Sequence, residues 1–404
     1  MSIYSTLRSV MRFRRFERDP VARRLRKAAN VADLRRIAKR RLPRGVFDYI
    51  DGGAEDEYAL NRNSAVFRDA VFRPRVLRNV GKVDASTTIL GKRVPFPLVL
   101  APTGFTRIAD SPGELAVARA AARAEIPYTL STLGTRSIEE VAAVSDGRKW
   151  FQVYVWKDRG LVAEMLDRAA AAAYEAIVIT VDTAVLGRRE RDVRRGFSLP
   201  PKLGPGTVID GMVHPGWTWD FVNADPISFA NVTGKTVGDG ADAISLAEYV
   251  GKQFDPGLSW DDIAWFREHW DGPIVLKGVQ TVEDALIAAE HDIAAVALSN
   301  HGGRQLDGAP APLHLVDPVA EAVGDRVEVI CDGGVRRGSD IVKAVALGAT
   351  ACMAGRAYLY GLGAAGERGV DFVLDHLSQG VEQTMTLVGA TTIDELEPNL
   401  VNLA

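Results

Sequence analysis

Eight short apolar runs, most of them separated by helix-patterned segments, predict a closed parallel (β/α)8 barrel. The runs are continuous rather than alternating, the pattern expected of strands buried on both faces. The last three end in glycine-rich polar motifs, which puts the candidate chemistry at one mouth of the barrel.

The strands read "PLVLAPT" from residue 97, "IPYTLST" from 126, "KWFQVYV" from 149, "AIVITVD" from 176, "PIVLKG" from 273, "AAVALSN" from 294, "VEVICDGG" from 327 and "ACMAGRA" from 351. Helical period follows in "ELAVARAAARAE" (114–125), "GLVAEMLDRAAAAA" (160–173), "VEDALIAAE" (282–290) and "SDIVKAVALG" (339–348). The fourth connection is far longer than the rest, an insertion over about residues 183–272. It is Gly- and Pro-rich in part, carries Trp217 and Trp219 in "HPGWTWDF", and holds an amphipathic helix in "SWDDIAWFREHW". Loops after barrel strands open onto the catalytic face, so the insertion reads as a lid with a mobile part near 200–245. Its tryptophans are expected to pack on the barrel, contact with a membrane or an electron acceptor being the alternative.

Before the barrel, short helices are expected to break at Pro43 and Gly52-Gly53, and "STTILGKRVPF" reads as a hairpin turning at Gly91-Lys92. A helix over 368–388 follows the barrel. The chain thus divides into a basic arm (1–30), a helical and hairpin segment capping the barrel (31–95), the barrel (96–362) and a C-terminal helix and tail (363–404).

Net charge is only -3, yet residues 1–45 carry fifteen Lys or Arg against Glu17, Asp19 and Asp33. The remainder is about as acidic as the arm is basic, and no nucleic-acid partner is expected. Ile3, Leu7, Val10 and Met11 fall on one helical face with Arg8, Arg12 and Arg15 elsewhere, so the arm reads either as a solvated extension or as a helix lying on an anionic membrane. No apolar run approaches the ~18 residues of a membrane span, and no cleavable leader is expected. Cys331 and Cys352 sit in apolar runs without CxxC spacing, so they read as buried thiols in a reducing compartment, and no metal is expected. The expected location is the cytoplasm, with the arm able to hold the protein on the inner face of the cell membrane.

Strand seven ends in "DGGVRRG" and strand eight in "AGRA". Glycines there let backbone N–H groups approach phosphate oxygens, and Arg336 and Arg356 add charge-assisted donors, so a phosphate group is expected at these loops. No GxGxxG opens a βαβ unit, which argues against a Rossmann dinucleotide site. The other strand ends carry Thr103, Gly104, Ser131, Gln152, Tyr154, Thr180, Asp182, Arg188, Arg189, Lys277, Asn300, His301 and Arg304. Together they describe a pocket for an anionic ligand. In "SNHGGRQLD" the glycines at 302 and 303 allow a sharp turn that lets His301 and Arg304 both face the mouth. Imidazole suits a general base near neutrality, and guanidinium offers a fork matched to a carboxylate. Asp182 can orient the imidazole and steady its charged form.

These residues closely resemble the FMN-dependent L-2-hydroxy acid oxidase and dehydrogenase family, above all its bacterial L-lactate-oxidising branch. The match runs from about residue 31 to 398 through "LPRGVFDYIDGGAEDE", "APTGFTR", "FQVYVWKDR", "TVDTAVLGRRERDVR", "LKGV", "SNHGGRQLD" and "DGGVRRGSDIVKAVALGA". The resemblance implies that His301 accepts the substrate hydroxyl proton with Asp182 as its partner. Arg304, Arg189 and Tyr49 would hold the carboxylate, and Tyr154 would contact the hydroxyl region. Lys277 would lie beside flavin N1; Pro102, Thr103, Gly104, Ser131, Gln152 and Thr180 would line the flavin ring; Asp332, Gly334, Arg336, Gly355 and Arg356 would hold ribityl and phosphate. Leu133 stands where similar glycolate oxidases carry Trp, which favours lactate over glycolate. The implied reaction is oxidation of L-lactate to pyruvate, with electrons passed to a quinone or another acceptor. The alternatives are a mandelate-type or other bulky 2-hydroxy acid with oxygen as acceptor, a peptide-borne acid, or a redox-neutral FMN barrel isomerase. A homotetramer is also implied by the family.

Overall fold

The computed structural model describes residues 17–195, 204–232 and 252–403. Most of the basic arm, including its proposed apolar face, and part of the expected lid lie outside the described residues.

Eight parallel strands close into one barrel: β1 (Leu98–Leu100), β2 (Tyr128–Ser131), β3 (Lys149–Tyr154), β4 (Ala176–Thr180), β5 (Ile274–Val279), β6 (Ala295–Ser299), β7 (Glu328–Asp332) and β8 (Ala351–Ala354). Each pairs with its sequence neighbours, and β8 returns to β1 in the register Cys352 with Leu98. Seven of the eight strands are buried at every position, as the continuous apolar runs require. Val99, Trp150, Val178, Val275, Ala297, Ile330 and Met353 point inward and fill the barrel, while the outward set packs on the helices. Cys331 and Cys352 are buried, unbridged, and opposite each other on β7 and β8.

The N-terminal segment forms α1 (Val31–Arg41), α2 (Arg44–Asp51) and α3 (Tyr58–Asp69), broken at Pro43 and at Gly52-Gly53 as the sequence requires. The hairpin turns one residue earlier than expected. Leu90 and Gly91 occupy the turn with φ of 49° and 70°, and Lys92 already belongs to the second strand.

The insertion begins with α4 (Glu190–Arg195) and continues as α5 (Pro205–Met212), α6 (Pro215–Asn223) and α7 (Asp261–His269). Two of these helices fall within 200–245, the stretch expected to be the mobile part of the lid. Pro205 and Pro215 stand at the first turns, where a missing N–H costs nothing, so these prolines start helices rather than break them. The two tryptophans separate. Trp217 donates to the Ile108 carbonyl at 2.7 Å and stacks on Phe221, whereas Trp219 is 74% exposed. The chain ends with α8 (Arg356–Ala365), the long α9 (Glu367–Val388) and a strand at Val401–Asn402 that pairs with Val71–Phe72.

Candidate active site

The C-terminal ends of the strands surround a cavity of about 410 Å³. On one side lies a buried polar row: Ser131 Oγ donates to Gln152 Oε1 at 2.9 Å, and Gln152 Nε2 donates to Thr180 Oγ1 at 3.0 Å. Ser131 and Gln152 are paired in register on adjacent strands, and Thr180 lies two residues beyond the partner of Gln152 on the next. Beside Thr180 on the next strand, Lys277 Nζ lies 2.9 Å from Asp332 Oδ2 and donates to Ser299 Oγ at 3.1 Å. Burial alone would lower the Lys277 pKa, but Asp332 and Asp182 outweigh it and raise it, so the amine is a cation.

His301 follows directly on β6 in the turn Asn300–Gly303. It adopts a left-handed φ of 57°, an uncommon conformation for a non-glycine residue, and Gly302 and Gly303 continue at 64° and 73°. Its amide donates to Ser299 Oγ, and its Nδ1 lies 3.0 Å from Asp182 Oδ1. Asp182 reaches it because β5 has a glycine at 278, with φ of 110°; a Cβ there would lie 2.8 Å from the Asp182 Cβ. Burial raises the Asp182 pKa, yet His301 and Lys277 together bring it below the usual value. With Asp182 ionised, Nδ1 carries the imidazole proton, and Nε2 keeps a lone pair for the cavity. Burial lowers the pKa of His301, Asp182 only partly restores it, and Lys277 and Arg189 push it down again. The imidazole is therefore neutral at pH 7 and competent to accept a proton.

Beside it stand two guanidinium groups. Arg304 donates from Nη1 to the Tyr49 and Gly52 carbonyls at 2.6 and 3.1 Å and lies over the Tyr49 ring at 5.0 Å. Burial, then the like charge of Arg189, lower its pKa to about 9, so an anion bound here relieves both strains. Arg189 Nε is buried with no hydrogen-bond partner among the described residues. Tyr154, buried beneath Phe254 in an edge contact of 5.2 Å, has its pKa raised by burial and then by Asp182, and stays a neutral phenol. Leu133 and Gly104 form part of the wall; a Cβ on Gly104 would sit 3.0 Å from the Leu133 Cβ.

At the far end Gly334 has φ of 85°, and a Cβ would lie 1.9 Å from the Asn63 carbonyl oxygen, so only glycine fits. The N-terminus of α8, at Gly355 and Arg356, opens here without a side-chain cap. Arg336 stacks on Tyr360 at 5.7 Å. Arg356 lines the cavity, but its guanidinium also ties together the carbonyls of Ile50, Gly52 and Gly302. Thr103 Oγ1 lies 2.6 Å from Tyr358 Oη, and Pro102 completes this wall.

Of the strand-end residues expected at the pocket, all but Ser131, Asp182, Arg188 and Asn300 line this one cavity; Ser131 and Asp182 bond the lining residues Gln152 and His301 from behind, Asn300 bonds Asn63, and Arg188 is exposed. The sequence reading missed Phe105, Leu186, Asp192, Phe229, Phe254 and Gln305. Asp192 lies three residues after Arg189, within a motif already singled out, and burial raises its pKa against the pull of Arg304 and Arg189. Phe229 and Phe254 come from the insertion, where no periodic pattern marked them.

Fold and site together define a barrel with a cationic cavity at its mouth, in which an imidazole stands beside two guanidinium groups and glycine-rich turns close the far end. The FMN-dependent dehydrogenase family model matches residues 38–403, and the chain belongs to that family. The chain is 47% identical over 396 residues to a putative L-lactate dehydrogenase of Mycobacterium tuberculosis, covering 98% of this chain and 94% of that one. It is 41% identical to the L-lactate dehydrogenase of Pectobacterium atrosepticum, covering 90% and 94%. Among solved structures, a monotopic membrane protein, (S)-mandelate dehydrogenase, superposes with a TM-score of 0.90 at 39% identity, covering 93% of this chain and 100% of that one. The residues present fit FMN: a positive-φ glycine turn at Gly333-Gly334 and the uncapped N-terminus of α8 beside Arg336 and Arg356, a buried cation at Lys277, and a row of amide and hydroxyl groups at Gln152, Ser131 and Thr180.

Proposed function

We propose that the protein oxidises a small L-2-hydroxy acid, L-lactate to pyruvate in the first instance. One observation carries this reading: a neutral imidazole, fixed by a carboxylate at 3.0 Å, shares its cavity with Arg304 and with an Arg189 nitrogen that has no partner among the described residues. Arg304 and Arg189 grip the substrate carboxylate, Tyr49 closes over it, and Tyr154 orients the hydroxyl. His301 Nε2 takes the hydroxyl proton, and Asp182 stabilises the imidazolium that results. A bound FMN would supply the oxidant for the two electrons and the α-hydrogen that leave the substrate carbon. Gln152, Ser131 and Thr180 hold the ring, Lys277 offsets negative charge gathering on it, and Asp332, Gly334, Arg336, Gly355 and Arg356 hold ribityl and phosphate. The test is kcat/KM over a panel of hydroxy acids, with lactate expected to exceed glycolate clearly; equal values across the panel would contradict the assignment.

A second substrate reading is favoured by the aromatic wall. Phe105 lies 6.4 Å from Tyr49 and 5.8 Å from Phe229, ring centroid to centroid, a surface suited to a phenyl substituent. In the same panel, mandelate turned over faster than lactate would support it.

The acceptor we propose is a quinone reached at a membrane surface. Val208, Ile209 and Met212 on α5, Val213 just after it, and Trp219 and Val222 on α6 are exposed, and exposed Arg44 adjoins them, its backbone N–H donating to the Asp210 carboxylate. Apolar side chains beside basic ones suit an anionic bilayer. Among the described residues no helix is long and apolar enough to cross a membrane. Ile209→Glu with Trp219→Glu should abolish sedimentation with anionic liposomes; if deleting residues 1–16 does so instead, the arm is the anchor. We further propose a homotetramer in the cytoplasm or on the inner membrane face, to be checked by analytical ultracentrifugation.

A further inference from the structure

The substrate-anchoring residues Tyr49 and Arg189 share an arrangement. Each is followed two positions later by a charged residue that lies outside the cavity: Asp51 two helical steps beyond Tyr49, and Arg191 in the first turn of α4, which Arg189 immediately precedes. Those two residues, Asp51 and Arg191, bond to each other: Arg191 Nη1 donates to Asp51 Oδ2 at 2.8 Å.

Asp51 is almost wholly buried, its side chain only 4% exposed. Arg35 of α1 donates to both of its oxygens, at 2.5 and 2.7 Å, and Tyr360 of α8 donates to Oδ1 at 2.7 Å. With Arg191 this makes four donors on two oxygens, one from each of α1, α4 and α8 and a second from Arg35. Burial works against the charge, but Arg35, Tyr360 and Arg191 outweigh it and hold the carboxyl at about 2. Arg191 also bonds Glu57, which accepts from the Gly53 amide at 3.0 Å. Further bonds link α2 and the mouth, Ala54 N to the Gly303 carbonyl and Glu55 N to the Arg188 carbonyl, but those bind backbone. The Asp51–Arg191 hydrogen bond, with a longer Arg191–Asp48 ion pair at 3.7 Å beside it, joins the two helical turns through side chains adjacent to the anchoring residues.

We propose that Asp51 is a positioning residue: its bond to Arg191 sets Arg189 opposite Tyr49, so that the two meet across the substrate carboxylate. This rests on the reading that Arg189 and Tyr49 hold that carboxylate. A carboxylate buried among three donor side chains is a rigid reference point, whereas an amide would turn an NH2 group toward two of the four donors and let α4 shift. Displacement by a fraction of an ångström at a binding group is enough to weaken an anchored substrate.

The test uses the FMN-loaded enzyme and L-lactate. Asp51→Asn and, separately, Arg191→Met should each raise KM by about 10- to 100-fold with kcat within about threefold of wild type. The double variant should match the worse single one, because both break one contact. Arg191→Met leaves the Arg35–Asp51–Tyr360 set intact and carries the test should Asp51→Asn fail to fold. Arg191→Lys, which keeps the charge, should recover part of the loss. If both single variants lower only the melting temperature and leave KM unchanged while Arg189→Met raises it, the positioning role is overturned. If Arg189→Met also leaves KM unchanged, the carboxylate reading falls, and this proposal with it.

Discussion

Replacing Asp182 by Asn probes the proton-accepting pair. As the hydroxyl proton arrives at Nε2, the imidazole becomes a cation whose Nδ1 is 3.0 Å from a carboxylate oxygen. The Asp182 side chain is only 4% exposed, so water screens the pair weakly. With charge centres about 4 Å apart and an effective permittivity of about 20, the attraction is about 4 kcal/mol. Asparagine removes it and releases the tautomer, so flavin reduction should slow by about 10³-fold while KM moves by less than about threefold. The assay is anaerobic stopped-flow at the flavin absorbance, across pH. Burial holds the His301 pKa below its ordinary 6.5, with Asp182 pulling the other way. Only neutral His301 can take a proton, so the wild-type rate should be level above pH 6.5 and fall as the pH drops through the lowered value. Without Asp182 nothing opposes the burial, so that fall should move to still lower pH. An Asn variant reducing its flavin within about threefold of wild type, or one whose acid limb moves to higher pH, would refute the reasoning.

His301→Gln should keep FMN bound, with an unchanged flavin spectrum, and lose nearly all reduction by lactate; full activity would remove the base assignment. Arg304→Lys should raise KM more than it lowers kcat, because an ammonium cannot reproduce the bidentate fork, and steady-state kinetics separates the two. Gly334→Ala should lower both FMN content and melting temperature, since its Cβ would lie 1.9 Å from the Asn63 carbonyl at a φ of 85°; the ratio of flavin to protein absorbance reads this out. Lys277→Met leaves Asp332 buried without its cation and should weaken FMN retention on dialysis as well as slow reduction.

The barrel was legible because its strands are buried on both faces and so leave unbroken apolar runs, such as "AIVITVD", between helical periods. The turn at His301 was legible for a related reason: consecutive positive φ values demand Gly302 and Gly303, and glycines at a strand end stand out. The insertion was not. Its Pro205 and Pro215 look like breakers in sequence and act as helix starts, and Phe229 and Phe254 reach the cavity from stretches without period. Asp51 was silent too, since its meaning lies in Arg191, 140 residues away, and in Arg35 and Tyr360 on other helices. Local pattern records which face of an element is buried; it does not record which distant charge completes a buried carboxylate.

The central claim is that this cavity holds FMN and reduces it with an L-2-hydroxy acid. Anaerobic titration of the FMN-loaded protein tests it most directly. L-lactate should bleach the flavin and yield pyruvate in equal amount, and D-lactate should leave the spectrum untouched. A flavin that stays oxidised in excess L-lactate and L-mandelate alike would contradict it.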